Sequence, residues 1–180
     1  MIRVRWLGRG GQGSFTASRL LGKAASIFEG KYALAFPSFG PERRGAPVLA
    51  FTRIDDKKIT DRSEVPEYEY LVVMDSTLLD ENSIQGLTAG GSIIVNSSSG
   101  EEFNSVLKEF KVISLDATSL ALEILGLPIT NTAMLGALVA ASDMVSLESV
   151  IKSIEDEMKP AVAEKNKIIV EKAYMQVRGN

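Results

Sequence analysis

The chain has 180 residues, enough for one α/β domain with a sizeable core. Its 45% hydrophobic and 24% charged content is that of an ordinary globular domain rather than a disordered segment or a membrane protein. A net charge of −3 supplies no basic footprint for nucleic acid, whose phosphates are met by clustered Lys and Arg. The sequence contains neither cysteine nor histidine, which removes thiolate ligands for an iron–sulfur cluster, thiol nucleophiles, and the commonest general base and zinc ligand.

From the N-terminus, Ile2, Val4 and Trp6 recur at period two and predict a first strand over Ile2–Leu7. This alternation of charged and apolar residues is not the unbroken apolar stretch of a signal peptide, and no later run approaches the length of a membrane span, so a cytoplasmic, non-membrane protein is expected. Gly8-Arg9-Gly10-Gly11-Gln12-Gly13 follows, with Ser14 expected to cap a helix that carries Ala17, Leu20, Leu21, Ala24, Ala25 and Phe28 and ends at Gly30. Tyr32–Phe36, halted by Pro37, is the expected second strand of this βαβ unit. Three prolines and two glycines keep Pro37–Pro47 irregular, and Val48–Ile54 is the next strand. Tyr70–Met74 and Ser92–Asn96 are nearly continuous apolar strands suited to a sheet covered on both faces, and Lys111–Leu115 is the last. Helices follow: one capped by Asp116 and ended by Gly126, one starting at Asn131 with Met134, Leu135, Leu138 and Val139 on one face, one begun at Ser146, and one opened by Pro160. The expected fold is a single α/β domain over residues 1–180. It is Rossmann-like, with an open, mostly parallel sheet, helices on both faces and a helical C-terminal part.

Glycines behind a first strand let the backbone turn tightly and present N–H groups to an anion at a helix N-terminus. Gly8, Gly10 and Gly13 have G-x-G-x-x-G spacing, with Gly11 as an extra glycine. The expected cofactor-binding residues are therefore Gly8, Gly10, Gly11, Gln12 and Gly13. A dinucleotide site would also place Asp or Glu at the end of the second strand, where Phe36, Pro37 and Ser38 stand, which argues against NAD. Pro41, Glu42, Arg43 and Arg44 form a proline-stiffened loop whose arginine forks suit carboxylates or phosphates, so a docking interface is expected there. Asp75-Ser76-Thr77 and Asn96-Ser97-Ser98-Ser99 end two inner strands, the first as a turn cap and the second either as a ligand-contacting segment or, equally well, as a polar loop.

Together, the glycine turn and Pro37-Ser38-Phe39-Gly40-Pro41-Glu42-Arg43-Arg44-Gly45-Ala46-Pro47 resemble the gamma subunit of pyruvate:ferredoxin oxidoreductase and its 2-oxoisovalerate relatives. Asp75-Ser76-Thr77-Leu78-Leu79, Gly91-Ser92-Ile93-Ile94-Val95-Asn96 and Asn131-Thr132-Ala133-Met134-Leu135-Gly136-Ala137 extend the resemblance over nearly the whole chain, with Ser76 standing where the family pattern has proline. The resemblance implies a subunit of a complex that oxidatively decarboxylates a 2-oxoacid, transfers the acyl group to coenzyme A and reduces ferredoxin. It implies alpha, beta and delta partners that hold thiamine diphosphate, magnesium and the iron–sulfur clusters. This chain would hold no cofactor alone and no metal, contribute no catalytic residue, and support assembly and the binding of a coenzyme A phosphate. The alternatives are a gamma subunit for 2-oxoisovalerate or another 2-oxoacid, and a purely architectural subunit.

Overall fold

A computed structural model describes residues 1–38, 45–99, 103, 107 and 109–179. The first strand, β1 (Ile2–Arg9), runs beyond Leu7 into the glycine motif, and α1 (Ser14–Lys23) leaves it through the turn. Gly13, in the left-handed region with φ 81°, is the N-cap of α1, so Ser14 is the first helical residue and not the cap expected for it. A glycine there lets the chain reverse sharply but contributes no side-chain acceptor. The helix does not run on regularly to Phe28: after Lys23 it widens into a π-helical turn, Ala24–Phe28. The widening places Glu29 to accept the Ser146 N–H at 2.6 Å and Lys31 Nζ at 2.9 Å, tying this end of the segment to the start of a later helix.

The strands that follow are β2 (Tyr32–Pro37), β3 (Pro47–Asp55), β4 (Tyr68–Val73), β5 (Leu87–Asn96) and β6 (Lys111–Leu115). They form a six-stranded sheet in the order β2-β3-β1-β4-β5-β6. β1, β4, β5 and β6 are mutually parallel, which matches the expected α/β class. The βαβ unit at the N-terminus is split, because β3 inserts between β1 and β2 and pairs antiparallel with both. The insertion follows from the chain reversal after Pro37: Ser38 N–H already donates to Leu49 carbonyl at 2.8 Å, a hairpin contact.

Alternation along the strands distributes the core between two faces. Val4, Trp6, Val72, Met74 and Ile94 face one side, beneath α1 and four further helices: α2 (Ala117–Leu125), α3 (Asn131–Ser142), α4 (Leu147–Glu157) and α5 (Pro160–Arg178). Leu7, Leu71, Val73, Ile93 and Val95 face the other, under Val65, Tyr68, Leu87, Phe103, Leu107 and the 3-10 turn Ser76–Leu78. The caps expected from sequence are present on α2 and α4, where Asp116 accepts Ser119 N–H at 2.9 Å and Ser146 accepts Ser149 N–H at 3.1 Å. α3 differs from its expected one-sided pattern: Asn131 through Ala140 are all buried, because the helix lies between the sheet, α1 and α5.

Two local features fix the helical layer. Trp6 Nε1–H donates to the Thr52 hydroxyl at 3.0 Å, which donates to the Ser18 carbonyl at 3.1 Å, while the Ser18 hydroxyl donates to the Phe51 carbonyl at 2.9 Å. All of these side chains are buried, so the network holds α1 to the sheet directly behind the glycine turn. On the outer side, Gly136 permits α3 to approach α5, since a Cβ there would lie 2.5 Å from the Val170 carbonyl oxygen and 3.1 Å from Ala173 Cβ. A side chain at this point must push α3 and α5 apart, so Gly136→Val is expected to cost about 1–3 kcal/mol through overpacking. At roughly 2–4 °C per kcal/mol for a chain of this size, a thermal melt of the full chain should fall by several degrees; an unchanged melting temperature would show that α3 and α5 are not in close contact.

Candidate functional site

The carboxyl ends of the parallel strands meet at one edge of the sheet, where open α/β folds bind ligands. The glycine turn stands at its centre. At Gly8 a Cβ would fall 2.5 Å from Ser14 Oγ, 3.1 Å from Gln12 Oε1 and 3.1 Å from Met74 Cβ, so only glycine fits as the chain leaves β1. Gly11, at φ 97°, is exposed and has nothing among the described residues within 4 Å of its Cβ position, so the backbone there is open to an approaching group. Gln12 turns inward: its Oε1 accepts Arg9 N–H at 2.7 Å and its own N–H donates to the Arg9 carbonyl at 3.0 Å. That side-chain oxygen is therefore spent on the turn, and any ligand contact from Gln12 falls to its amide nitrogen.

The N–H groups at the start of α1 are unspent within the helix. The first intrahelical bond runs from Ala17 N–H to the Gly13 carbonyl at 3.0 Å, and no side chain caps the helix. Ser14, Phe15 and Thr16 thus direct backbone donors out of the positive end of the helix dipole, the arrangement that stabilises a phosphate. The Ser14 hydroxyl is buried and has no hydrogen-bond partner among the described residues. Gly13 packs against Asn131, the first residue of α3, a residue assigned from sequence only to a packed helix.

Arg9 fastens the turn to its surroundings. Its Nε donates to Asp75 Oδ2 at 2.7 Å, one terminal nitrogen to Thr77 Oγ1 at 3.0 Å and the other to the Gly45 carbonyl at 3.1 Å. Gly10 N–H donates to the Ala46 carbonyl at 3.0 Å. Gly45 and Ala46 are the described residues at the end of the arginine loop, so that loop rejoins the fold beside the glycine turn. Its proposed interface residues Pro41, Glu42, Arg43 and Arg44 lie outside the described residues.

Asp75 has the capping role expected of it, accepting Thr77 N–H at 3.1 Å. Asn96 does not face a ligand: its amide donates to the Met74 carbonyl at 2.9 Å and to Thr118 Oγ1 at 3.0 Å, joining the end of β4 to α2. An open groove of about 860 Å³ runs from Phe15 in the first turn of α1 past Pro37, Pro47 and Thr77 to Arg5. Arg5 stacks 4.0 Å over the Tyr68 ring and donates to the Val65 and Gln85 carbonyls, each at 3.0 Å. A nicotinamide dinucleotide fits this edge poorly, because the strand beside β1 on the side of β2 is antiparallel and offers no carboxyl end from which an acid could reach the ribose. Among the described residues no group of three or more acidic side chains is placed to hold a metal ion, and no helix is long and apolar enough to cross a membrane.

The glycine turn between β1 and α1 is thus fastened by an arginine to the segments around it. Over residues 3–176 the chain matches the model of the pyruvate ferredoxin/flavodoxin oxidoreductase family. It is 47% identical over 178 residues to pyruvate synthase subunit PorC of Methanocaldococcus jannaschii, covering 98% of this chain and 97% of that one. It is 51% identical over 178 residues to the pyruvate/ketoisovalerate oxidoreductases common subunit gamma of Thermococcus kodakarensis, covering 97% and 96%. The crystal structure of pyruvate oxidoreductase subunit PORC from Thermotoga maritima superposes with a TM-score of 0.84 at 39% identity, covering 96% of this chain and 94% of that one. The chain belongs to the pyruvate ferredoxin/flavodoxin oxidoreductase family, as a gamma-type subunit.

The latch between Arg9 and Asp75 has a definite pH dependence. Burial, the largest single influence on the Asp75 carboxyl, pushes its pKa up, but the Thr77 hydroxyl, Arg9 and the Thr77 N–H together outweigh it and hold the pKa below the ordinary value. A depressed carboxyl contributes stability that is present above its unfolded pKa of about 3.9 and is lost as the pH falls through the lower folded value. Asp75→Asn should therefore lower the melting temperature at pH 7 by a few degrees at most, for a solvent-screened pair worth about 1 kcal/mol or less. The difference between variant and parent should shrink as the pH drops below about 4, and a difference that persists undiminished at about pH 3 would show that the charge of Asp75 is not what holds the latch.

Proposed function

We propose that this chain is the gamma subunit of a cytoplasmic pyruvate:ferredoxin oxidoreductase, or pyruvate synthase, and that its glycine turn receives a phosphate of coenzyme A. The assembled enzyme would convert pyruvate, coenzyme A and two equivalents of oxidised ferredoxin to acetyl-CoA, carbon dioxide, two equivalents of reduced ferredoxin and a proton. The observation that carries the reading is the open backbone at Gly11 together with the uncapped start of α1 on the ligand-binding edge of the sheet. The names of the relatives support the substrate: two of them are a pyruvate synthase subunit and a subunit common to pyruvate and ketoisovalerate oxidoreductases. A 2-oxoisovalerate enzyme is the neighbouring reading, since a common subunit serves both.

In this reading the alpha, beta and delta chains carry thiamine diphosphate, magnesium and the iron–sulfur clusters. A chain without cysteine supplies no thiolate to a cluster, which agrees with that division. The gamma chain would bind and orient the coenzyme A phosphates through backbone donors of Gly11, Gly13 and Ser14, leaving the thiol end free to reach the catalytic chains. The loop with Pro41, Glu42, Arg43 and Arg44, which rejoins the fold at Gly45, would dock on those chains. A purely architectural role draws support from one observation: Gln12 and Arg9 are already engaged in holding the turn.

The two readings separate in the assembled complex carrying Gly11→Ala. A methyl group at this exposed position would obstruct close approach of a phosphate without meeting any neighbour among the described residues, at the cost of the strain that φ 97° imposes on a side chain. If a charge-assisted bond of about 1.5–3 kcal/mol is lost, the apparent KM for coenzyme A should rise on the order of tenfold or more. Pre-steady-state decarboxylation of pyruvate should be unchanged. An assembled, folded variant with normal coenzyme A dependence would leave the turn a purely structural element.

A further inference from the structure

The glycine turn faces a second helix start. α3 begins at Asn131 directly against Gly13, and its N-cap, Thr130, makes no side-chain capping bond, just as Gly13 makes none for α1. Two helices of 10 and 12 residues, neither capped by the side chain of its N-cap residue, therefore direct their N-termini at one place on the sheet edge. A helix start attracts any anion, so this convergence alone does not define a ligand.

The side chain of Asn131 does. It is only 7% exposed. Its Oδ1 accepts the Thr132 N–H at 2.9 Å, which fixes the orientation of the carboxamide and assigns the other atom as nitrogen. That nitrogen is turned to Gly13, where a Cβ would lie 2.5 Å from it, and it donates no hydrogen bond within the described residues. Among the described residues this nitrogen is not one of the fully buried atoms left without a partner, so it keeps contact with the surface beside Gly13, where an acceptor from outside the chain can reach it. Against Gly8, at the other end of the turn, the buried Ser14 hydroxyl also lacks a partner among the described residues. Among the described residues the nearby cation, Arg9, is occupied by Asp75, Thr77 and Gly45, so the groups they leave free at this point are neutral donors. Such a set suits the singly charged phosphates of a pyrophosphate better than a terminal phosphate dianion, which calls for cations.

We propose that Asn131 and the start of α3 form the second wall of the phosphate cradle whose first wall is the glycine turn, with the Asn131 carboxamide donating to the pyrophosphate of coenzyme A. The proposal rests on the reading of the glycine turn given above and adds to it a residue far away in sequence. It also accounts for glycine at position 13: any side chain there would occupy the space of the Asn131 amide.

The test uses the assembled complex with Asn131→Asp and Asn131→Ala. Asp keeps the oxygen that accepts Thr132 N–H and places a carboxylate at two helix starts, where a purely structural role predicts unchanged or higher thermal stability. The cradle predicts that the same variant binds coenzyme A at least tenfold more weakly, because its carboxylate replaces a donor and competes with the phosphate for the helix N–H groups. The value of kcat at saturating coenzyme A and the KM for pyruvate should not move. Asn131→Ala, which removes the donor without adding charge, should weaken binding several-fold and decides the matter if the Asp variant fails to assemble. Dephospho-coenzyme A, which lacks the 3′-phosphate, should show the same penalty as coenzyme A; a penalty that vanishes with it would overturn the assignment to the pyrophosphate. Normal coenzyme A affinity in an assembled Asn131 variant, alongside weakened affinity in Gly11→Ala, would overturn the role of Asn131 while leaving the glycine turn in place. Normal affinity in both would remove the coenzyme A site from this edge altogether.

Discussion

The passage from β1 to α1 must be made without side chains at Gly8 and Gly13, and the remainder of the site depends on that constraint. At Gly8 the obstacles are Ser14, Gln12 and Met74; at Gly13 the obstacle is Asn131. Because neither position has room for a Cβ, the turn lies tight against the end of β4 on one side and α3 on the other. The helix starts with bare N–H groups at the ligand edge of the sheet as a result. The buried Trp6–Thr52–Ser18 network then holds α1 at this height above the sheet, so the donors are fixed in advance of any ligand. Preorganised backbone donors need no reorganisation when an anion arrives, which is the physical advantage the proposed phosphate site would draw from a turn over long cationic side chains.

Charge is arranged consistently with that design. Arg9 is the guanidinium beside the turn, and its three directions are used on Asp75, Thr77 and Gly45, so it acts as a fastener between β1, the 3-10 turn and the end of the arginine loop. Among the described residues, what faces this sheet edge is a set of neutral donors backed by two helix dipoles. A chain with no cysteine and no histidine is poorly equipped for redox or proton-transfer chemistry, and a rigid phosphate holder is a role that needs neither residue.

Local features were legible in the sequence, and those set by distant partners were not. The period-two pattern of Ile2, Val4 and Trp6, the glycine spacing and the apolar runs at Tyr70–Met74 and Ser92–Asn96 are sufficient for an α/β sheet with a glycine turn after its first strand, and the caps at Asp116 and Ser146 follow from residue type alone. The insertion of β3 between β1 and β2 was not legible, since strand order depends on pairing between segments far apart in the chain and not on either segment's own pattern. Ser14 matches the N-cap preference, yet glycine at 13 in the left-handed region takes that position and leaves the serine hydroxyl buried. Asn131 carries no signal beyond its place at a helix start; its unspent amide is visible only once α3 is seen against Gly13. Comparing the polar residues at helix starts with the glycine motif would have marked it as a candidate, because both lie at the ends of elements that feed one sheet edge.

Whether coenzyme A meets this subunit at the glycine turn is tested most directly by a cryo-electron microscopy map of the assembled complex frozen with saturating coenzyme A. Pyrophosphate density is expected within hydrogen-bond reach of the Gly11, Gly13 and Ser14 N–H groups and of the Asn131 amide. Ordered coenzyme A density elsewhere in the complex, with the Gly8–Gly13 turn covered by a neighbouring chain, would contradict it.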